Sequence, residues 1–141
     1  MRSVVLQSIK SKNLGKVAVM LWSKYAPENQ LKGIDTWLRE RFVYVPEAIE
    51  TIQAPEYMLN GLNMTGQLRG DCDDITTLHA ALLTALAVRT RFIAIRSNPD
   101  DPNFDHVYLE AFDDFSGWIP YDVTVPLGTN LEWFARLQVQ V

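Results

Sequence analysis

The chain has 141 residues, 48% of them apolar and 21% charged, with a formal net charge of −4. That composition fits one globular domain spanning residues 1–141 and excludes a disordered or membrane-embedded chain. The mild acidity, with no cluster of Lys and Arg, excludes a nucleic-acid partner, because phosphate recognition needs concentrated positive charge.

A single cysteine rules out an intrachain disulfide, and a lone thiol fits a reducing cytoplasm. The N-terminal segment has too short an apolar run for a signal peptide. Residues 17–22 are too few to span a membrane. The sequence is therefore read as that of a cytoplasmic protein without a membrane partner, and it leaves the oligomeric state open.

In chain order, Asn13 is the expected cap of a helix running to about Tyr25, with Val17, Met20, Leu21 and Lys24 at helical spacing. Pro27 suits the first turn of a second helix, whose stripe is Leu31, Ile34, Trp37, Leu38 and Phe42. Such a stripe is core, so Trp37 and Phe42 receive no functional role. Residues 43–70 are broken by Pro46, Pro55, Gly61 and Gly66, with a short helix over 46–52 as the one element expected there. Asp71 then caps a strongly amphipathic helix carrying Ile75, Leu78, His79, Leu82, Leu83 and Leu86. Capping is also the preferred reading of the Arg69-Gly70-Asp71 tripeptide. Strands follow over 91–95, 106–112 and 118–124, the last two joined by a turn at 113–117. Helices followed by a strand meander give an α+β class. Trp133 and Phe134, beyond the last of these strands, are expected in the core.

Cys72 falls at the start of the amphipathic helix. The dipole and free backbone N–H groups there favour a thiolate and can donate to an oxyanion, with the Cys72 backbone as one donor. Asp73 and Asp74 oppose a thiolate, so a cationic partner is required. Of the two histidines, His79 lies two helical turns on, about 10 Å along the axis, and is expected to pack in the core. His106 opens a strand. In a hairpin turning at 113–117, opposed residues have numbers summing to near 230, and His106 with Asp122 gives 228. If the pairing constant is even, both lie on one face as direct or diagonal neighbours, so that Asp122 can orient the imidazole toward the thiol. The bland alternatives are a small buried cysteine and an ordinary strand-end histidine. An aspartate inside an apolar strand needs a buried partner, and this favours the functional reading.

The block Gly70-Asp71-Cys72-Asp73-Asp74, followed by Leu78, Ala80 to Leu83 and Leu86, resembles the nucleophile helix of bacterial and phage transglutaminase-like proteins. Arg91 to Ala94 with His106 to Glu110 resembles the histidine strand of that superfamily, and Trp118 to Asp122 its aspartate strand. Phe42 to Tyr44 and Ile52 to Pro55 resemble the approach region, so the likeness spans roughly residues 34 to 126. The resemblance implies a papain-like fold with Cys72 as nucleophile, His106 as base and Asp122 as orienter. Gln67 is the one amide side chain close before the cysteine, and an oxyanion role for it is a guess against the simpler reading of a solvated loop residue.

The function expected is cysteine-dependent acyl transfer on a peptide or protein amide through a thioester, with no cofactor and no metal. Hydrolysis is preferred to transamidation, because a short chain has little room to hold a second protein. Two alternatives remain. One is a silent binding or assembly module that keeps the fold. The other is a metal site built on Cys72, His106 and nearby aspartates, without the local ligand pairs usual for zinc.

Overall fold

The computed structural model describes residues 1–130, 132–133 and 135–141. Among the described residues five α-helices accompany a four-stranded sheet. They are α1 (Arg2–Ser8), α2 (Lys12–Lys24), α3 (Gln30–Arg41), α4 (Pro55–Thr65) and α5 (Cys72–Ala85). A 3-10 turn at Pro27–Asn29 leads into α3, so Pro27 starts that helical stretch as expected.

The strands are β1 (Phe42–Tyr44), β2 (Leu68–Gly70), β3 (Thr90–Arg96), β4 (His106–Asp113), β5 (Gly117–Tyr121) and β6 (Ala135–Gln140). β1 and β2 form a short parallel pair, while the others form an antiparallel sheet in the order β5-β4-β3-β6. The expected α+β class holds. The β4–β5 register pairs Leu109 with Tyr121 and Ala111 with Ile119, so paired numbers sum to 230. His106 and Asp122 are thus diagonal neighbours on one face.

α5 is the centre of the molecule. Ile75, Leu78, Leu82 and Leu83 have no solvent exposure and pack with Leu14, Leu21, Ile34, Leu38 and Leu109. Each such aliphatic side chain contributes about 1.5–3 kcal/mol on burial. This anchoring fixes the N-terminus of α5, and with it Cys72, against the start of β4, where Thr76 Oγ1 donates to the Val107 carbonyl at 3.4 Å.

Several local expectations are corrected. Ser11, not Asn13, caps α2, because its hydroxyl accepts from Leu14 N–H at 3.2 Å. No helix forms over 46–52, where the chain is irregular. The helix lies later, with Pro55 in its first turn and Gly66 ending it in the left-handed region at φ 75°. The strand expected over 118–124 stops at Tyr121. The Asp122 carboxylate turns back to accept from Thr124 N–H at 3.0 Å and Thr124 Oγ1 at 2.7 Å, a local turn that competes with strand pairing. Trp133 is 49% exposed rather than core, while Phe134 lies outside the described residues. α1 and β6 have no counterpart among the expected elements.

Candidate active site

The first turn of α5 is held by a reciprocal cap. Asp71 Oδ1 accepts from the N–H groups of Asp73 at 3.2 Å and Asp74 at 3.4 Å, and Asp74 Oδ2 accepts from Asp71 N–H at 3.2 Å. Ile75 N–H is taken by the Asp71 carbonyl. Among the described residues no acceptor holds the Cys72 N–H, which stays available as a donor beside its own sulfur.

Asp74 also ties down the approach segment, accepting from Gln53 N–H at 2.7 Å and Gln53 Nε2 at 2.8 Å. It is buried and committed to the cap, so Asp73 is the carboxylate that meets the thiol. Cys72 Sγ donates to Asp73 Oδ1 at 3.6 Å. Burial, then the Asp71 charge, pushes Asp73 up to about 6. Gly70 permits this packing, since a Cβ there would lie 2.5 Å from Asp74 Oδ2.

His106 opens β4, and its Nε2 meets Asp122 Oδ2 at 2.5 Å. The bond leaves Nδ1 as the nitrogen available to the thiol. Burial alone would lower the His106 pKa, but the hydrogen bond to Asp122 and the nearby Cys72 thiol, with the charges on both, raise it to about 10. Asp122 is held below the usual carboxylate range: burial works the other way, and the bonds from His106 and Thr124 outweigh it. The structure therefore places Asp122 on the His106 imidazole and Cys72 in its neighbourhood.

His79 is 1% exposed and packs edge-on against Tyr121 at 5.7 Å. Burial lowers its pKa to about 4, which fits a neutral core histidine. Gln67 sits before β2, exposed, with its amide oxygen facing Arg69 Nη1 at 3.4 Å and its amide N–H groups free of that contact. Glu50, Asp71 and Asp73 are the one set of three acidic, histidine or cysteine side chains among the described residues whose ligand atoms lie within 4.8 Å of one another. That set contains neither Cys72 nor His106. Among the described residues no helix is long and apolar enough to cross a membrane.

Residues that the sequence reading passed over also shape the site. Thr124 grips the far oxygen of Asp122, Gln53 steadies the cap, and Arg39 donates to the Asp122 carbonyl. The i,i+4 spacing of Asp35 and Arg39 was the available signal for the last.

The family model described as the transglutaminase-like superfamily matches residues 19–123. Similar solved structures include a candidate cysteine protease of Cytophaga hutchinsonii, with 21% identity and a TM-score of 0.62 over 79% of this chain and 37% of that one. A candidate protease of Parabacteroides distasonis has 15% identity and a TM-score of 0.57, covering 78% of this chain and 23% of that one. The periplasmic domain of TgpA from Pseudomonas aeruginosa has 14% identity and a TM-score of 0.57, covering 88% and 49%. The chain thus spans between about a quarter and a half of these structures' own length. No curated protein sequence matches it. The matched span contains all three residues of the site, and the chain belongs to the transglutaminase-like superfamily.

Proposed function

We propose that the protein is a cysteine-dependent acyl-transfer enzyme acting on peptide-like amides, with Cys72 as nucleophile, His106 as base and acid, and Asp122 as orienter. Superfamily membership supports a cysteine peptidase or acyltransferase at family level. The observation that carries the finer reading is the imidazole of His106, bonded to Asp122 through Nε2 with the Cys72 thiol beside its ring.

In this scheme His106 takes the thiol proton, and the sulfur attacks the amide carbonyl. The oxyanion meets the Cys72 N–H, with Gln67 as the proposed second donor. His106 then gives its proton to the departing amine as the C–N bond breaks, leaving a thioester. Water, deprotonated by His106, attacks the thioester and releases the acid. Hydrolysis is preferred to transfer onto a second amine, residues 1–141 are treated as one domain, and the lone free thiol favours a cytoplasmic setting.

A silent binding module is the second reading. It draws on the 3.6 Å contact from the thiol to Asp73, a carboxylate that opposes an anionic sulfur. A panel of peptide and peptidoglycan-type amides, assayed with wild type and Cys72→Ala, separates the two. Turnover that disappears in the variant supports the enzyme. Equal release by both proteins overturns it.

A further inference from the structure

Asp122 lies just past the end of β5, outside the ladder that would otherwise fix its backbone. Its turn is closed from within, because Asp122 Oδ1 accepts from both the N–H and the hydroxyl of Thr124. It is also gripped from outside by a residue 83 positions earlier in the chain. Arg39 Nη2 donates to the Asp122 carbonyl at 2.5 Å, and Arg39 Nη1 donates to the Val125 carbonyl. One guanidinium thus spans both ends of the turn that presents the carboxylate. Its third donor, Nε, meets Asp35 Oδ2 at 2.6 Å, and Asp35 has no solvent exposure.

Asp35 and Arg39 stand one helical turn apart on α3, whose Ile34 and Leu38 are wholly buried. The fork is therefore mounted on a rigid element, and its planar geometry suits two carbonyls at once. Neither residue touches Cys72 or His106 among the described hydrogen bonds. Two oxygens of the Asp122 turn and one of its carboxylate atoms are already committed, and the remaining atom, Oδ2, points at His106.

We propose that Arg39, braced by Asp35, is a positioning residue that locks the Asp122–Val125 turn so that the carboxylate stays on the His106 imidazole. The chemistry of this role rests on the cysteine–histidine reading above, although the hydrogen-bonded geometry does not. The imidazole is kept in one orientation by a residue that acts only through backbone carbonyls.

The test is the side-chain NMR titration of His106, readily assigned in a chain with two histidines. Arg39→Lys keeps a cation on Asp35 but loses the fork. The double variant Asp35→Leu/Arg39→Met removes the buried pair together, a change that proteins often accept without loss of stability. Asp122→Asn is the reference for a lost carboxylate. In both Arg39 variants the His106 midpoint should fall from the wild-type value toward that of Asp122→Asn, by roughly one unit or more. Amide turnover should fall roughly tenfold to a hundredfold with KM little changed, as expected for a misaligned acid–base group. Arg39→Lys is read even where the double variant does not fold. A folded Arg39→Lys whose His106 midpoint stays at the wild-type value overturns the proposal. A shifted midpoint in a protein without Cys72-dependent turnover upholds the positioning role and removes the enzymatic reading instead.

Discussion

His106 Nε2 and Asp122 Oδ2 meet at 2.5 Å although Asp122 stands one residue beyond its strand. The β4–β5 register puts the two on one face, but the final approach is set by the turn that Thr124 closes. The pair binds a proton more tightly when folded than an isolated imidazole does, and this has a measurable consequence for stability.

The folded pKa of His106, about 10, lies above the ordinary value of about 6.5. Such a group contributes stability that is full below pH about 6.5 and is lost as pH rises through about 10. Thermal melts of wild type should therefore fall over that window, and Asp122→Asn should show a shallower fall. Parallel curves for the two proteins would contradict the pairing.

His79 gives the opposite slope. Its folded pKa of about 4 is depressed by burial, so its contribution is full above pH about 6.5 and is lost as pH falls through about 4. His79→Leu should flatten acid unfolding between those values while leaving Cys72-dependent turnover in place. Lost turnover in a stably folded His79→Leu would give this residue a role in the site that the core reading denies it.

At Asp73 the sign depends on pH. Above about 6 its carboxylate is ionised beside the thiol, and below that value it is neutral. Asp73→Asn should therefore speed alkylation of Cys72 at pH 8 and leave the rate at pH 5 nearly unchanged. An equal effect at both values would mean that the charge is not what restrains the sulfur.

Gly70→Ala should weaken the α5 cap, because the added methyl carbon would sit 2.5 Å from Asp74 Oδ2. Loss of such a cap costs about 0.5–2 kcal/mol. Urea unfolding measures this, and the change in midpoint should come with slower alkylation of Cys72. Wild-type stability in the variant would show that Asp74 relaxes without cost.

Much of the candidate site was legible because each of Cys72, His106 and Asp122 sits at a junction with a strong local signal. Asp71 announced the helix that begins at Cys72, and the turn at 113–117 put the pairing sum near 230, where the structure has 230. Elements without such signals were missed. β6 alternates Leu137 and Val139 with Gln138 and Gln140, and both apolar residues remain substantially exposed at the sheet edge. α4 contains Asn60, Gly61 and Asn63, poor helix formers whose pattern hid the useful sign of Pro55 in the first turn. Arg39 looked like an ordinary charge on a helix, since its carbonyl partners lie more than eighty positions away.

The central claim is that Cys72 and His106 act as one unit, and thiol alkylation tests it without a known substrate. Iodoacetamide modification of Cys72 should be followed by mass spectrometry at pH 6 in wild type and in His106→Ala. The account predicts a rate roughly tenfold or more lower in the variant, because the base that takes the thiol proton in the proposed scheme is gone. Equal rates in the two folded proteins would contradict it.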